Sequence, residues 1–263
     1  MCGIVGYIGN KRASSVIVKG LRRLEYRGYD SAGISTIEKS SFYTTKCKGK
    51  IQDLEKIPAI KNHNNTSGIG HTRWATHGEP NVSNAHPHHD QNKNFSLIHN
   101  GIIENHYSIK EYLIQKGVQF ESDTDTEVLV QFIGYLYNTK KLSFYETVKL
   151  ALQEVVGTYG IVVMCKDEPE KLVAAKNGSP LLLGIGDDEL FLASDVSAIL
   201  DYTRNILYLD DGEIAQLEKG SYKITHVNHE AEIIKDIKEI EYTLDQIEKG
   251  DYEHFMLKEI FEQ

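Results

Sequence analysis

The sequence predicts an α+β fold of two packed antiparallel sheets with helices outside them. Short strands open the chain, helices fill its middle, and from Tyr159 to about Val227 strand follows strand with turn signals between. One sheet does not comfortably hold that many strands, so two are expected.

Taken in order, Ile4 to Ile8 reads as the first strand. Ser14 or Ser15 can cap a helix with an apolar stripe at Ile17, Leu21 and Leu24, ending near Tyr26–Asp30. Ser31 to Ile37 reads as a strand and Phe42 to Lys46 as its hairpin partner. Residues 51–65 are polar and weakly helical. Gly68 to His71 is a short strand that runs into a loop rich in Gly, Thr and His, and residues 81–94 continue as loop. Phe95 to His99 is a strand that meets a turn signal at Asn100-Gly101.

Helices are expected from near Asn105 to before Gly117, from about Asp123 with a stripe through Val128, Leu129, Phe132, Ile133 and Leu136, and from a capping box at Ser143 and Glu146. The later strands are Ile161–Cys165, Leu172–Ala175, Leu181–Ile185, Leu190–Ala193, Ile206–Leu209, Glu213–Leu217 and Tyr222–Val227. Gly186-Asp187-Asp188 and Asp210-Asp211-Gly212 are read as hairpin turns, with Asp195 capping a short helix between them. Residues 236–263 differ. Ile237, Ile240, Leu244 and Ile247 form a helical stripe, Gly250-Asp251 breaks it, and a second helix is expected from about Tyr252. This charged tail has little to pack on, so 2–235 reads as one domain and 236–263 as a helical linker.

A chain of 263 residues can bury a sizeable core. Its net charge of −9 and lack of a dense basic run argue against nucleic acid or anionic membrane as a main partner. No apolar run reaches membrane-spanning length, and no signal peptide opens the chain. Cys2, Cys47 and Cys165 are scattered and odd in number, which fits a reducing, cytoplasmic setting better than a disulfide framework.

Four constellations carry potential chemistry. Cys2 follows the initiator methionine. If Met1 is removed, Cys2 bears a thiol and a free α-amine with an unperturbed pKa near ~7.7–8.0. Nucleophile and base then share one residue. The alternative is a small buried residue opening a strand. His71-Thr-Arg-Trp-Ala-Thr-His-Gly78 places a cation, an aromatic ring, a hydroxyl and an imidazole together. Arg73 suits a carboxylate, or else a structural ion pair beside a core Trp74. Asn100 and Gly101 can supply a side-chain amide and a main-chain N–H as a two-donor oxyanion hole, or simply a turn. The Asp123-Thr-Asp-Thr-Glu127 carboxylates can cap a helix or hold an ammonium. His86-Pro-His-His-Asp90 is too tightly spaced for usual metal sites, and no metal or cofactor is expected. Gly184-Ile-Gly186 lacks the rest of a dinucleotide motif and reads as a hairpin.

Five motifs occur in order: Cys2-Gly-Ile-Val-Gly6, Leu24-Glu-Tyr-Arg-Gly-Tyr-Asp-Ser-Ala-Gly33, His71-Thr-Arg-Trp-Ala-Thr-His-Gly-Glu-Pro80, Asn84-Ala-His-Pro87 and His99-Asn-Gly-Ile-Ile-Glu-Asn105. Together with Ser122–Glu127 and Lys176–Pro180, they resemble the glutaminase half of the glutamine–fructose-6-phosphate aminotransferases, within the class II glutamine amidotransferases. The resemblance covers essentially the whole chain.

It implies a four-layer α-β-β-α sandwich, the N-terminal nucleophile hydrolase fold. It further implies Cys2 as nucleophile with its freed amine as base, and Asn100 and Gly101 as oxyanion hole. Arg73 would hold the α-carboxylate of L-glutamine and Asp125 its α-ammonium. Thr76, His77 and His86 would line or support the pocket, Trp74 would gate ammonia, and Arg27 would lie nearby. The implied partner is a sugar-phosphate isomerase domain with a fructose 6-phosphate site, normally in the same chain, in a homo-oligomeric full-length form.

The chain stops where that half would begin. It is expected to release glutamate and ammonia but not to make glucosamine 6-phosphate alone, whether as a fragment or a free-standing domain. Two other readings are a hydrolase of another class on this fold, and a silent binding module if Met1 is retained.

Overall fold

The computed structural model describes residues 2–74 and 79–241. In chain order it holds β1 (Gly3–Ile8), α1 (Ala13–Arg23), β2 (Ser31–Glu38), β3 (Ser41–Lys48), α2 (Ile51–Lys56), β4 (Ser67–Arg73), β5 (His88–His89) and β6 (Phe95–Ile103). Three helices follow: α3 (His106–Gln115), α4 (Asp125–Lys140) and α5 (Phe144–Gln153). The last strands are β7 (Gly157–Cys165), β8 (Lys171–Asn177), β9 (Leu182–Ile185), β10 (Leu190–Ala193), β11 (Asn205–Tyr208), β12 (Glu213–Glu218), β13 (Ser221–His226) and β14 (Lys238–Glu239).

Two antiparallel sheets result. One runs β14-β11-β9-β10-β1-β4-β2-β3 and the other β13-β12-β8-β7-β6-β5. Two-residue alternation gives every central strand two buried faces. Along β1, Ile4 and Ile8 point into the seam between the sheets, where they meet Ile69, Ile98, Val162, Met164 and Leu192. Val5 and Tyr7 point the other way, onto Val16, Ile17 and Leu21 of α1. On the far side of the second sheet, α3, α4 and α5 bury Leu113, Leu129, Ile133 and Val148 against Leu97, Ile161 and Val163. The order α-β-β-α is thus fixed by three apolar layers, and the expected sandwich is observed. Truncating one seam residue such as Ile98 to alanine would cost about 2–5 kcal/mol.

Several local expectations are corrected. Neither Ser14 nor Ser15 caps α1. Arg12 holds that position, and Ser14 lies inside the helix, donating to the His63 carbonyl at 2.7 Å. Thr124, not a carboxylate, caps α4 by accepting from Glu127 N at 3.2 Å. Asn100-Gly101 does not turn the chain, because β6 continues through it to Ile103, paired throughout with β7. Residues 81–94 contain the edge strand β5. Asp210-Asp211-Gly212 is no hairpin; it carries the chain from β11 in one sheet to β12 in the other. Residues 236–241 are extended rather than helical, and β14 pairs with β11 there. The remainder of the expected helical tail lies outside the described residues.

Candidate active site

The alternation that builds the seam also builds its polar end. Cys2 is in phase with Ile4, His71 and Arg73 with Ile69, and Asn100 with Ile98. All four therefore project from the two sheets toward one place. β1 lies between β10 and β4, and Ile4 is further tied to Ser194: its N–H donates to Ser194 Oγ at 3.0 Å, and its carbonyl accepts from Ser194 N at 3.1 Å. The residue before this strand is thus held from both flanks.

The sulfur of Cys2 meets the backbone of Trp74. Trp74 N–H donates to Sγ at 3.2 Å, and the thiol donates to the Trp74 carbonyl at 3.6 Å. Burial pushes the Cys2 thiol up from its ordinary value, while the Trp74 N–H and the Arg73 charge pull it down. Asn100 Nδ2 donates to the Cys2 carbonyl at 3.0 Å. Gly101 has a φ of +132°, and a Cβ there would stand 2.1 Å from the Thr158 carbonyl oxygen, so only glycine fits beside Asn100.

Arg73 is 4% exposed, and Cys2, Asp125 and Asp30 are the charges acting on it against the effect of burial. Asp125 begins α4, and its Oδ2 accepts from Ile103 N at 2.8 Å, which anchors the carboxylate two residues past Gly101. A guanidinium and a carboxylate so placed suit the two charged ends of an α-amino acid.

His86 does not reach Cys2. Its ring stacks on His71 at 4.1 Å between centroids, and its Nδ1 accepts from His99 N at 3.3 Å. Burial holds His86 well below its ordinary value, so it is a neutral wall. Arg27 donates to Asp195, which in turn accepts from Ser197 N at 2.9 Å. It therefore ties the 25–30 turn to the end of β10. From that turn, Gly28 packs on the peptide between Arg73 and Trp74, and Tyr29 meets the half-exposed Trp74 ring edge-on at 5.7 Å. Thr76 and His77 lie outside the described residues. Among the described residues there is no cluster of side chains able to hold a metal ion, and no helix is long and apolar enough to cross a membrane.

Two contributors escaped the sequence reading. His71 is buried, with Nε2 2.9 Å from Asn100 Oδ1. It sits two residues before Arg73 on a strand, so alternation alone places it on the same face. Gly28 carried no signal beyond its motif, because its role is a close approach of two main chains distant in sequence.

The model of a family described as glutamine amidotransferase domain matches residues 71–201, which takes in Arg73, Asn100, Gly101 and Asp125. A glutamine–fructose-6-phosphate aminotransferase of Bacteroides thetaiotaomicron is 51% identical across the whole chain, and one of Pyrococcus horikoshii is 49% identical. This chain spans only 43% and 44% of their lengths. Among solved structures, the glutamine phosphoribosylpyrophosphate amidotransferase of B. subtilis superposes with a TM-score of 0.76 at 25% identity, covering 87% of this chain and 50% of that one. A glutamine aminotransferase class-II domain protein of Silicibacter pomeroyi shares the fold at a TM-score of 0.59 and 13% identity, covering 87% of this chain and all of that one. With a cysteine held at the head of a central strand, a family match that takes in the facing residues, and relatives about half identical along the whole chain, the chain belongs to the class II glutamine amidotransferase domain family.

Proposed function

We propose that this domain hydrolyses L-glutamine to glutamate and ammonia through a thioester on Cys2. The reading rests on one observation above the others: Cys2 is bracketed by the Trp74 N–H on its sulfur and the Asn100 amide on its carbonyl. Arg73 binds the substrate α-carboxylate and Asp125 its α-ammonium, leaving the neutral side-chain amide directed at the sulfur. With Met1 removed, the Cys2 α-amine takes the thiol proton as Sγ bonds to the amide carbon. Charge moves to the amide oxygen, where Asn100 Nδ2 and the Gly101 N–H stabilise it. Collapse breaks the C–N bond, the amine returns its proton to the leaving nitrogen, and ammonia departs. Water, deprotonated by the same amine, then cleaves the thioester to glutamate and free thiol.

Thr76 and His77 line the pocket in this reading, His86 supports it, Trp74 gates the ammonia, and Arg27 braces the turn beneath. The relatives are more than twice as long as this chain. We propose accordingly that residues 2–235 form the body of the glutaminase unit and that 236–263, which begin by adding β14 to its sheet, lead toward a sugar-phosphate isomerase domain. There, fructose 6-phosphate takes up the ammonia to give glucosamine 6-phosphate, in a cytoplasmic homo-oligomer.

Glutamate release from the chain, alongside its intact mass, tests the first step. The form lacking Met1 is expected to release glutamate from glutamine and not from other amides. A chain shown by mass to lack Met1 that leaves glutamine intact refutes it.

A further inference from the structure

We infer that His71 is a positioning residue for the oxyanion donor, acting as a neutral ring with its proton on Nε2. The assignment follows from what each atom can do. The Cys2 carbonyl only accepts, so the Asn100 atom 3.0 Å from it is the amide nitrogen. The other end of that amide, facing His71 Nε2 at 2.9 Å, is therefore Oδ1, which also only accepts. His71 must donate there. Burial lowers its pKa to about 3, outweighing the contacts with Asn100 and the His99 main chain that favour a second proton. With one proton to place, Nε2 carries it. Nδ1 is buried with no hydrogen-bond partner among the described residues, as a bare lone pair would be.

The ring itself is locked. His86 stacks on it with an interplanar angle of 11°, His88 meets His86 edge-on at 4.9 Å, and burial keeps all three imidazoles neutral. The consequence is a one-way constraint on Asn100. Flipped by half a turn, its amide would set two hydrogen-bond acceptors against each other at Cys2 and aim a carbonyl at the developing oxyanion. His71 excludes that flip, which explains a buried, uncharged histidine one residue removed from catalysis.

This rests on the glutaminase reading but is testable apart from it. His71→Phe keeps a flat ring on His86 and removes the donor. In the 263-residue chain it is expected to lower kcat for glutamine by about 10- to 100-fold, below the ~10²–10³ of losing an oxyanion donor outright, with KM little changed. His71→Gln, which keeps an N–H in reach, is expected to recover most of the loss. In an Asn100→Ala background, His71→Phe should change kcat by less than about twofold, because the group it positions is gone. Alkylation of Cys2 by iodoacetamide, which forms no oxyanion, should be unaffected. Nitrogen chemical shifts of the His71 ring should report the Nε2–H tautomer. An Nδ1–H tautomer, or an equal fall in kcat with and without Asn100, overturns the assignment. Absence of turnover in the unsubstituted chain lacking Met1 would instead overturn the glutaminase reading, leaving the ring spectrum to decide on His71.

Discussion

Replacing Gly28 with alanine isolates the contact that holds the nucleophile. Gly28 has φ −176° and ψ 134°, ordinary extended backbone, so alanine is conformationally welcome there. The obstacle is space. A Cβ would lie 2.8 Å from both Arg73 C and Trp74 N, short of the 3.4 Å at which ordinary contact begins. Both atoms are main chain and cannot rotate away, so the peptide must retreat by about 0.6 Å. That peptide donates to Cys2 Sγ at 3.2 Å and carries the Arg73 side chain. Overpacking of this kind costs about 1–3 kcal/mol. A displacement of this size at reacting groups is expected to lower kcat/KM by roughly tenfold, short of the ~10²-fold of a 1 Å misplacement. The direct assay is the pH dependence of Cys2 alkylation. The Trp74 N–H lowers the thiol pKa, so weakening it raises that pKa and moves the rate profile to higher pH. A folded Gly28→Ala chain with an unmoved profile would refute the claim that the Trp74 amide tunes this sulfur.

Other expectations follow from the same geometry. Asn100→Ala should lower kcat by ~10²–10³ in a glutamate-release assay, and a loss under about tenfold removes Asn100 from the oxyanion hole. Cys2→Ala should bind glutamine, as seen by calorimetry, without cleaving it; residual hydrolysis would dismiss Cys2 as nucleophile. Acid should unfold the protein steeply. Burial depresses His71 to about 3 and His89 to about 4, so between pH ~6.5 and those values the unfolded chain binds protons that the folded chain refuses. Each contributes a loss of about 1.4 kcal/mol per pH unit on acidification across that window, measurable by urea unfolding at successive pH values. A flat stability profile from pH 6.5 to 4.5 would show that these rings are protonated in the fold.

Much of the architecture was legible because hydrophobic alternation records burial directly. The strands of Ile4–Ile8 and Ile161–Cys165 announced themselves, as did the helix through Val128–Leu136. What escaped depended on partners far along the chain. Asp210-Asp211-Gly212 has the composition of a hairpin turn, and only the packing of the sheets reveals it as a crossing. Asn100-Gly101 has the composition of a turn too, yet pairing with Gly160 and Tyr159 holds it straight. For the site, motif order named Cys2, Arg73, Asn100 and Asp125, but nothing local said that His71 would face Asn100 across the two sheets. That contact joins β4 to β6, which lie in different sheets and share no ladder.

The seam between the sheets has a consequence for how such a molecule fails on warming. Cys2 rides on one sheet and Asn100 on the other, so their separation is gauged by the thickness of the apolar filling. Thinning or swelling that filling, as at Val162 or Met164, would spoil the alignment of sulfur and amide while each sheet kept its own ladder. Activity is thus a finer thermometer of this interior than circular dichroism, and should fade first.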